Sequence, residues 1–246
     1  MGVYDDLLKS MEDGVAERVL LGPFITLVLG GGRCGLSTTQ YPEGDVHTAP
    51  GVNDVGALAG RSLHDLAELV FSDKPMERSL GMAAVNAGIS ESGLSYVDGD
   101  SVDLLARKSA GKRLAVVGHF AFVERLKKSA KSVSVLELKP KEGDIPADRA
   151  GQIIPKADVV AITGSAFSNR TVEGLLELSR DKWVMVLGPT TPLSPVLFDY
   201  GADAIAGSKV DDLELSFTEA GQGAIFRQLT GIKKVLALKD RKEADE

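Results

Sequence analysis

The stretch that decides the fold is RLAVVGHF at residues 113–120. Its apolar residues run without interruption from Leu114 to Val117 and a glycine follows, which is typical of a buried parallel strand that ends in a tight turn. Similar runs follow at residues 132–138, 158–162, 183–187, 202–206 and 235–238. Spacers at residues 122–130, 171–180 and 212–229 are long enough for crossover helices. The C-terminal half is therefore predicted to form a doubly wound, mostly parallel α/β sheet.

The N-terminal half has a different pattern. Three short runs rich in β-formers, separated by Gly22-Pro23 and by three glycines, predict an antiparallel meander at residues 16–21, 24–29 and 33–39. Helical patterns occupy residues 3–12, 63–71, 75–87 and 101–108. Small residues at 81–87 would let their helix approach a neighbour closely. We therefore expect a small α+β domain at residues 1–110 and an α/β domain at residues 111–246.

Composition and charge exclude several classes of protein. The net charge is −7, and no cluster of basic residues is interleaved with aromatics, which argues against nucleic acid as a partner. The sequence has neither a signal peptide nor an apolar run long enough to cross a membrane, so we expect a cytoplasmic protein. The single cysteine, Cys34, excludes an internal disulfide and is interpreted as a small core residue.

The loops after the predicted strands are the candidate site, because parallel α/β sheets bind ligands at the carboxyl ends of their strands. Glu137 follows Gly118 at about 20 residues, the distance at which nucleotide-binding domains place an acid. The candidate ligand-binding residues are Gly118, His119, Glu137, Thr163, Gly164, Asn169, Gly188, Thr190 and Thr191.

No familiar catalytic motif is present, so the sequence leaves open whether the protein is an enzyme. His119 is the candidate general acid or base. A metal site could be built from His119, Glu137 and Asp144, with His47 or His64 as a further ligand. Imidazole together with carboxylate suits transition-metal ions such as Zn, Ni, Co or Fe.

Several segments resemble a family of bacteria and archaea named for "putative heavy-metal chelation". They are VGHF at 117–120, LE at 136–137, GDIP at 143–146, TGS at 163–165, GPTTPLSPVLFDYG at 188–201 and, in the N-terminal half, AAVNA at 83–87. The resemblance implies an enolase-N-terminal-like domain, a Rossmann-like domain and a site in the cleft between them. It also implies a role in handling heavy metals, in corrinoid or siderophore metabolism.

Three functions stay open at this point. In the first, the cleft binds a metal ion or metal chelate, with His119 and Glu137 as direct ligands. In the second, it binds or transforms a nucleotide-like or other anionic small molecule, with neutral donors at Thr163, Gly164, Asn169, Thr190 and Thr191. In the third, the protein is a ligand sensor without catalysis.

Overall fold

The N-terminal half forms the predicted meander. The computed structural model describes residues 2–42 and 51–240. After helix α1 (Val3–Lys9), a small antiparallel sheet has the strand order β1 (Ala16–Leu21), β2 (Ile25–Gly30) and β3 (Arg33–Thr38). The turn between β2 and β3 uses Gly31 and Gly32 at φ of 58° and 76°, backbone angles that glycine adopts without strain.

One long helix packs across the small sheet at close range. The described residues of this half also contain the α-helices α2 (Leu63–Ala67), α3 (Pro75–Gly88) and α4 (Ser101–Ser109). A Cβ atom on Gly35 in β3 would overlap the carbonyl oxygen of Ala83 in α3. The small residues at 81–87 therefore do allow the close approach that the sequence predicts.

The C-terminal half contains the predicted α/β sheet, and all six predicted runs are strands. Its eight strands are β4 (Tyr96–Val97), β5 (Arg113–Val117), β6 (Ser132–Glu137), β7 (Ile145–Pro146), β8 (Val159–Thr163), β9 (Trp183–Leu187), β10 (Ala204–Val210) and β11 (Ile232–Leu238). They lie in the order β4-β11-β10-β9-β8-β5-β6-β7, and β5 to β10 are parallel.

The last run departs from the parallel pattern. Strand β11 is antiparallel to β10, with Val210 opposite Ile232. The carbonyl of Gly231 accepts hydrogen bonds from the amides of Asp211 and Asp212, so the chain re-enters the sheet at the end where it left. A strand that re-enters at this end must run antiparallel.

The helices that connect the strands are shorter than the spacers allow. They are α5 (Val123–Leu126), α6 (Ala150–Ile153), α7 (Ser165–Ser168), α8 (Val172–Leu178), α9 (Val196–Asp199) and α10 (Leu213–Gly221). The predicted helix at residues 122–130 is reduced to the four residues of α5, because turns at residues 127–131 lead the chain directly into β6.

The large sheet is buried on both faces. Leu114 and Val116 of β5 pack in one cluster with α4 and α5, whereas Ala115 and Val117 belong to a cluster that also contains Leu80 of α3. The two halves of the chain therefore share a hydrophobic core. The domain division at residue 110 stays a prediction, although β4 and α4, which precede it, already belong to the layers of the large sheet.

Candidate functional site

A cavity of about 430 Å³ opens where the strand order of the large sheet reverses direction. From β5 the chain adds β6 on one side and later β8 on the other, and the loops that leave these strands diverge. The small sheet closes the cavity from above with Thr38 and Gln40. Five of the predicted residues line it, namely Gly118, His119, Glu137, Thr163 and Asn169.

Gly118 forms the turn at the end of β5. Its φ of 102° lies in the region that favours glycine, and an added Cβ atom would come within 3.0 Å of the Thr163 side chain. Its amide donates to the carbonyl of Leu136 in β6. The turn therefore holds the ends of β5, β6 and β8 close together and presents His119 at the rim of the cavity.

Glu137 binds backbone atoms of this rim. One carboxylate oxygen accepts a hydrogen bond from the amide of His119 at 2.9 Å, and the other accepts from the amide of Leu138 at 2.8 Å. Each oxygen thus accepts a backbone hydrogen bond. The bond from the His119 amide joins the end of β5 to Glu137 at the end of β6.

His119 is oriented by Asp144, which lies in the loop after β6. Both carboxylate oxygens of Asp144 lie 3.2 Å from Nδ1 of His119. The Asp144 side chain is 4% exposed and the imidazole is 43% exposed. The amide of Lys141, together with the hydrogen bond and charge of His119, holds the pKa of Asp144 below its ordinary value, so the carboxylate is ionised. In the neutral imidazole, an ionised acceptor favours the tautomer with the proton on Nδ1, which leaves the lone pair on Nε2.

Neutral polar groups form the opposite wall. The hydroxyl of Thr163 accepts from the amide of Ser165 at 3.3 Å, and the Ser165 hydroxyl lies 3.1 Å from that of Thr38. The carbonyl oxygen of the Asn169 side chain accepts from the amide and hydroxyl of Thr171. These bonds fix the loop after β8 and tie it to the small sheet.

The other predicted residues of the loops after β8 and β9 do not line this cavity. Gly164 and Thr191 pack against each other, and an added Cβ atom on Gly164 would lie 2.5 Å from the Thr191 amide nitrogen. Thr190 is fully buried and accepts a hydrogen bond from the amide of Thr38. Gly188 borders a neighbouring cavity. Thr190 therefore holds the loop after β9 against the small sheet instead of lining the cavity, because β3 packs over it.

Neither His64 nor Cys34 lines the cavity. His64 lies on α2, with Nε2 3.9 Å from a carboxylate oxygen of Asp13. Cys34 lies in β3, where burial raises the pKa of its thiol to about 12. His47 lies outside the described residues. Within residues 2–42 and 51–240, no three His, Cys, Asp or Glu side chains are grouped so that they could hold a metal ion.

Sequence reasoning missed several residues that line the cavity. Thr38 and Gln40 come from the far end of the meander, and no local pattern marks them. Phe120, Pro189 and Phe226 form one side of the cavity. The proximity of Phe120 to Gly118 could have indicated it, whereas Phe226 follows the last crossover helix and carries no such signal.

The chain matches two family models and is similar to solved structures of proteins of unknown function. The DUF364 family model, described as "Putative heavy-metal chelation", matches residues 100–238, and the DUF4213 model, with the same description, matches residues 4–89. A DUF364 protein of unknown function from Desulfitobacterium hafniense DCB-2 is 28% identical, with a TM-score of 0.85 over 96% of this chain and 98% of its own. A second, from Pyrococcus horikoshii, shares the fold at 22% identity, with a TM-score of 0.77 over 95% of this chain and 97% of its own.

No curated protein matches the chain. Among the helices of the described residues, none is long and apolar enough to cross a membrane.

Proposed function

We propose that this chain, which belongs to the DUF364 family described as "Putative heavy-metal chelation", binds a transition-metal ion that is already held by an organic chelator. The binding site is the cavity between the small sheet and the ends of β5, β6 and β8, and Nε2 of His119 is the protein's ligand to the metal. The observation that carries this proposal is the contact between Asp144 and Nδ1 of His119. Metal-binding histidines almost always donate their second ring N–H to a carboxylate, a backbone carbonyl or water.

The number of side chains at the site favours a chelate over a bare ion. Protein sites for borderline transition metals usually supply three or four ligands. Here no group of three such side chains occurs among the described residues, and the carboxylate of Glu137 is engaged by backbone amides. A metal bound by His119 would therefore need most of its donors from another molecule.

The size and polarity of the cavity also fit an organic molecule. Its volume of about 430 Å³ is far larger than an ion needs and lies in the range of small-molecule sites. Thr163, Ser165 and Asn169 line it with hydroxyl and amide groups, which can bind the polar edge of a chelator. This arrangement supports a role in the handling of metal complexes of small organic chelators.

Within this proposal the three predicted metal ligands have different roles. His119 contacts the metal. Asp144 orients the imidazole and balances part of the positive charge, and Glu137 fixes the backbone on which His119 sits. Asp144 and Glu137 are positioning residues in this scheme.

The second candidate function is the binding or transformation of an anionic organic molecule without a metal, or the sensing of such a molecule. The neutral hydroxyl and amide groups that line the cavity favour this function. The position of the cavity, where the strand order reverses at β5, favours it as well. Glu137 lines the cavity, and its carboxylate oxygen that accepts the hydrogen bond from the His119 amide keeps a further lone pair for a ligand hydroxyl.

The test is a binding experiment on protein purified without an affinity tag. Metal content is measured first, and Ni²⁺ and Co²⁺ are then titrated calorimetrically as free ions and as nitrilotriacetate complexes. We expect the complexes to bind more tightly than the free ions, and binding to be lost in His119→Ala. His64→Ala is the matched control, because His64 lies outside the cavity and should leave affinity unchanged. Equal affinity in His119→Ala and wild type would refute the proposal.

A further inference from the structure

A second cavity, of about 290 Å³, lies beside the first along the same edge of the large sheet. Phe120, Pro189 and Phe226 line both cavities and so form the wall between them. The end of β9, the middle of β10 and the start of α4 also line the second cavity. A molecule bound at His119 could extend past this wall into the second cavity.

The second cavity has an aromatic and apolar lining. Three of the eight phenylalanines of the chain border it, Phe120, Phe122 and Phe226, and all three remain partly exposed. The rings of Phe120 and Phe122 are stacked, with centroids 4.8 Å apart and an interplanar angle of 15°. Partly exposed stacked rings offer a flat surface on which a further planar group can pack.

Two cations also border this cavity. Arg227 follows Phe226 directly, and Lys234 lies on β11. Neither forms an ion pair with any residue in the described parts of the chain, although acidic residues outnumber basic ones by 35 to 28. Unpaired cations at the rim of an apolar cavity are complementary to a ligand that combines an apolar body with a negative charge.

We infer that the second cavity binds an aromatic, negatively charged part of the organic ligand, packed against the Phe120 and Phe122 rings with its anionic group at Arg227 and Lys234. This inference rests on the proposed function for the identity of the ligand as a chelator. Because aromatic rings and cations without an ion-pair partner lie together in this cavity, the chelator should have a planar apolar body. It should also carry at least one carboxylate, sulfonate or phosphate group.

The probe for this site is 8-anilinonaphthalene-1-sulfonate, which is aromatic and anionic and fluoresces in apolar surroundings. We expect saturable binding to the folded wild-type protein, weakened about tenfold in the double variant Arg227→Gln/Lys234→Gln through loss of the charge-assisted contacts. The matched control is Lys233→Gln. Lys233 neighbours Lys234 on the same strand but projects from the opposite face of the sheet, so it should not change affinity.

A neutral probe separates charge from packing. N-phenyl-1-naphthylamine has a similar ring system without the sulfonate, and its affinity should be the same for wild type and the double variant. Phe122→Leu should weaken both probes, and thermal melting verifies that each variant is folded. Equal loss of 8-anilinonaphthalene-1-sulfonate in Lys233→Gln and Lys234→Gln single variants, or no effect of the double variant, would overturn the assignment.

Probe binding in the second cavity can be measured independently of metal binding at His119. His119→Ala should retain 8-anilinonaphthalene-1-sulfonate binding, because His119 does not line the second cavity. Retention of probe binding together with failure of all metal titrations would leave the second cavity as an anion site and reject only the metal proposal.

Discussion

The side-chain oxygens of Thr38 and Thr190 lie 2.9 Å apart, and the Thr38 amide donates to the same Thr190 oxygen at 2.9 Å. Thr38 ends the last strand of the small sheet, whereas Thr190 lies in the loop after β9 of the large sheet. The pair therefore fastens the small sheet over the site. Thr190 is fully buried, which gives it a structural position and not a ligand-facing one.

Thr190→Val should destabilise the protein without affecting ligand affinity. The substitution keeps the shape of the side chain but leaves the Thr38 amide without its acceptor, which costs about 1–3 kcal/mol in the free energy of unfolding. Urea denaturation measures this loss. Thr218→Val on the exposed side of α10 is the control and should change stability by less than about 0.5 kcal/mol. A large fall in chelate affinity in Thr190→Val with unchanged stability would contradict this assignment.

Asp144→Asn should weaken binding of the nickel–nitrilotriacetate complex by about 10–100-fold, the usual effect of removing a carboxylate that orients a metal-binding histidine. The reason is that a neutral amide oxygen accepts the Nδ1 proton more weakly than a carboxylate does, and it does not balance the charge of the bound metal. Isothermal titration measures the change. Asp148→Asn, in the same segment but exposed, should bind like wild type, and an equal loss in both variants would argue against an orienting role.

Gly35→Ala should destabilise the protein by about 3 kcal/mol or fail to fold, because overpacking displaces backbone. The added Cβ atom would overlap the carbonyl oxygen of Ala83, which cannot move without shifting α3. Gly174→Ala is the control. Gly174 lies on α8 with open space around its Cα atom, so alanine should stabilise the helix by about 0.5–1 kcal/mol. Thermal melting of both variants checks the contrast, and a neutral Gly35→Ala would mean that the helix and strand are less closely packed.

Asp158 should contribute to stability at neutral pH and lose that contribution in acid. Hydrogen bonds from the Arg113 side chain and amide hold the pKa of Asp158 far below its ordinary value. The unfolded chain therefore takes up the proton first as the pH falls, so the stabilisation is complete above the unfolded pKa and is lost as pH falls through the folded pKa.

The measurement is the free energy of unfolding of wild type and Asp158→Asn as a function of pH. The advantage of wild type should be constant near neutrality and shrink below about pH 4, where unfolded aspartates protonate. Salt should reduce it, since both side chains are partly exposed. A pH-independent difference would show that the ion pair does not contribute.

Much of the fold was predictable because it depends on local patterns. Uninterrupted apolar runs identified six strands of the large sheet, and glycine-containing turns identified the meander. The two-residue strands β4 and β7 were missed, because two residues carry no periodicity. The direction of β11 was also not predictable, since it depends on where the chain re-enters the sheet and not on the residues of the strand.

The sequence by itself determined that polar loops follow the strands of the large sheet. It also predicted that His119, Glu137 and Asp144 lie along one edge of that sheet. Only the tertiary structure decided which of these groups face a ligand. Thr190 resembles Thr163 in sequence context, yet β3 covers Thr190 and leaves Thr163 at the cavity. Local periodicity records which residues form strands and turns, whereas burial of a loop depends on chain segments about 150 residues away that pack over it, and no local pattern encodes that approach.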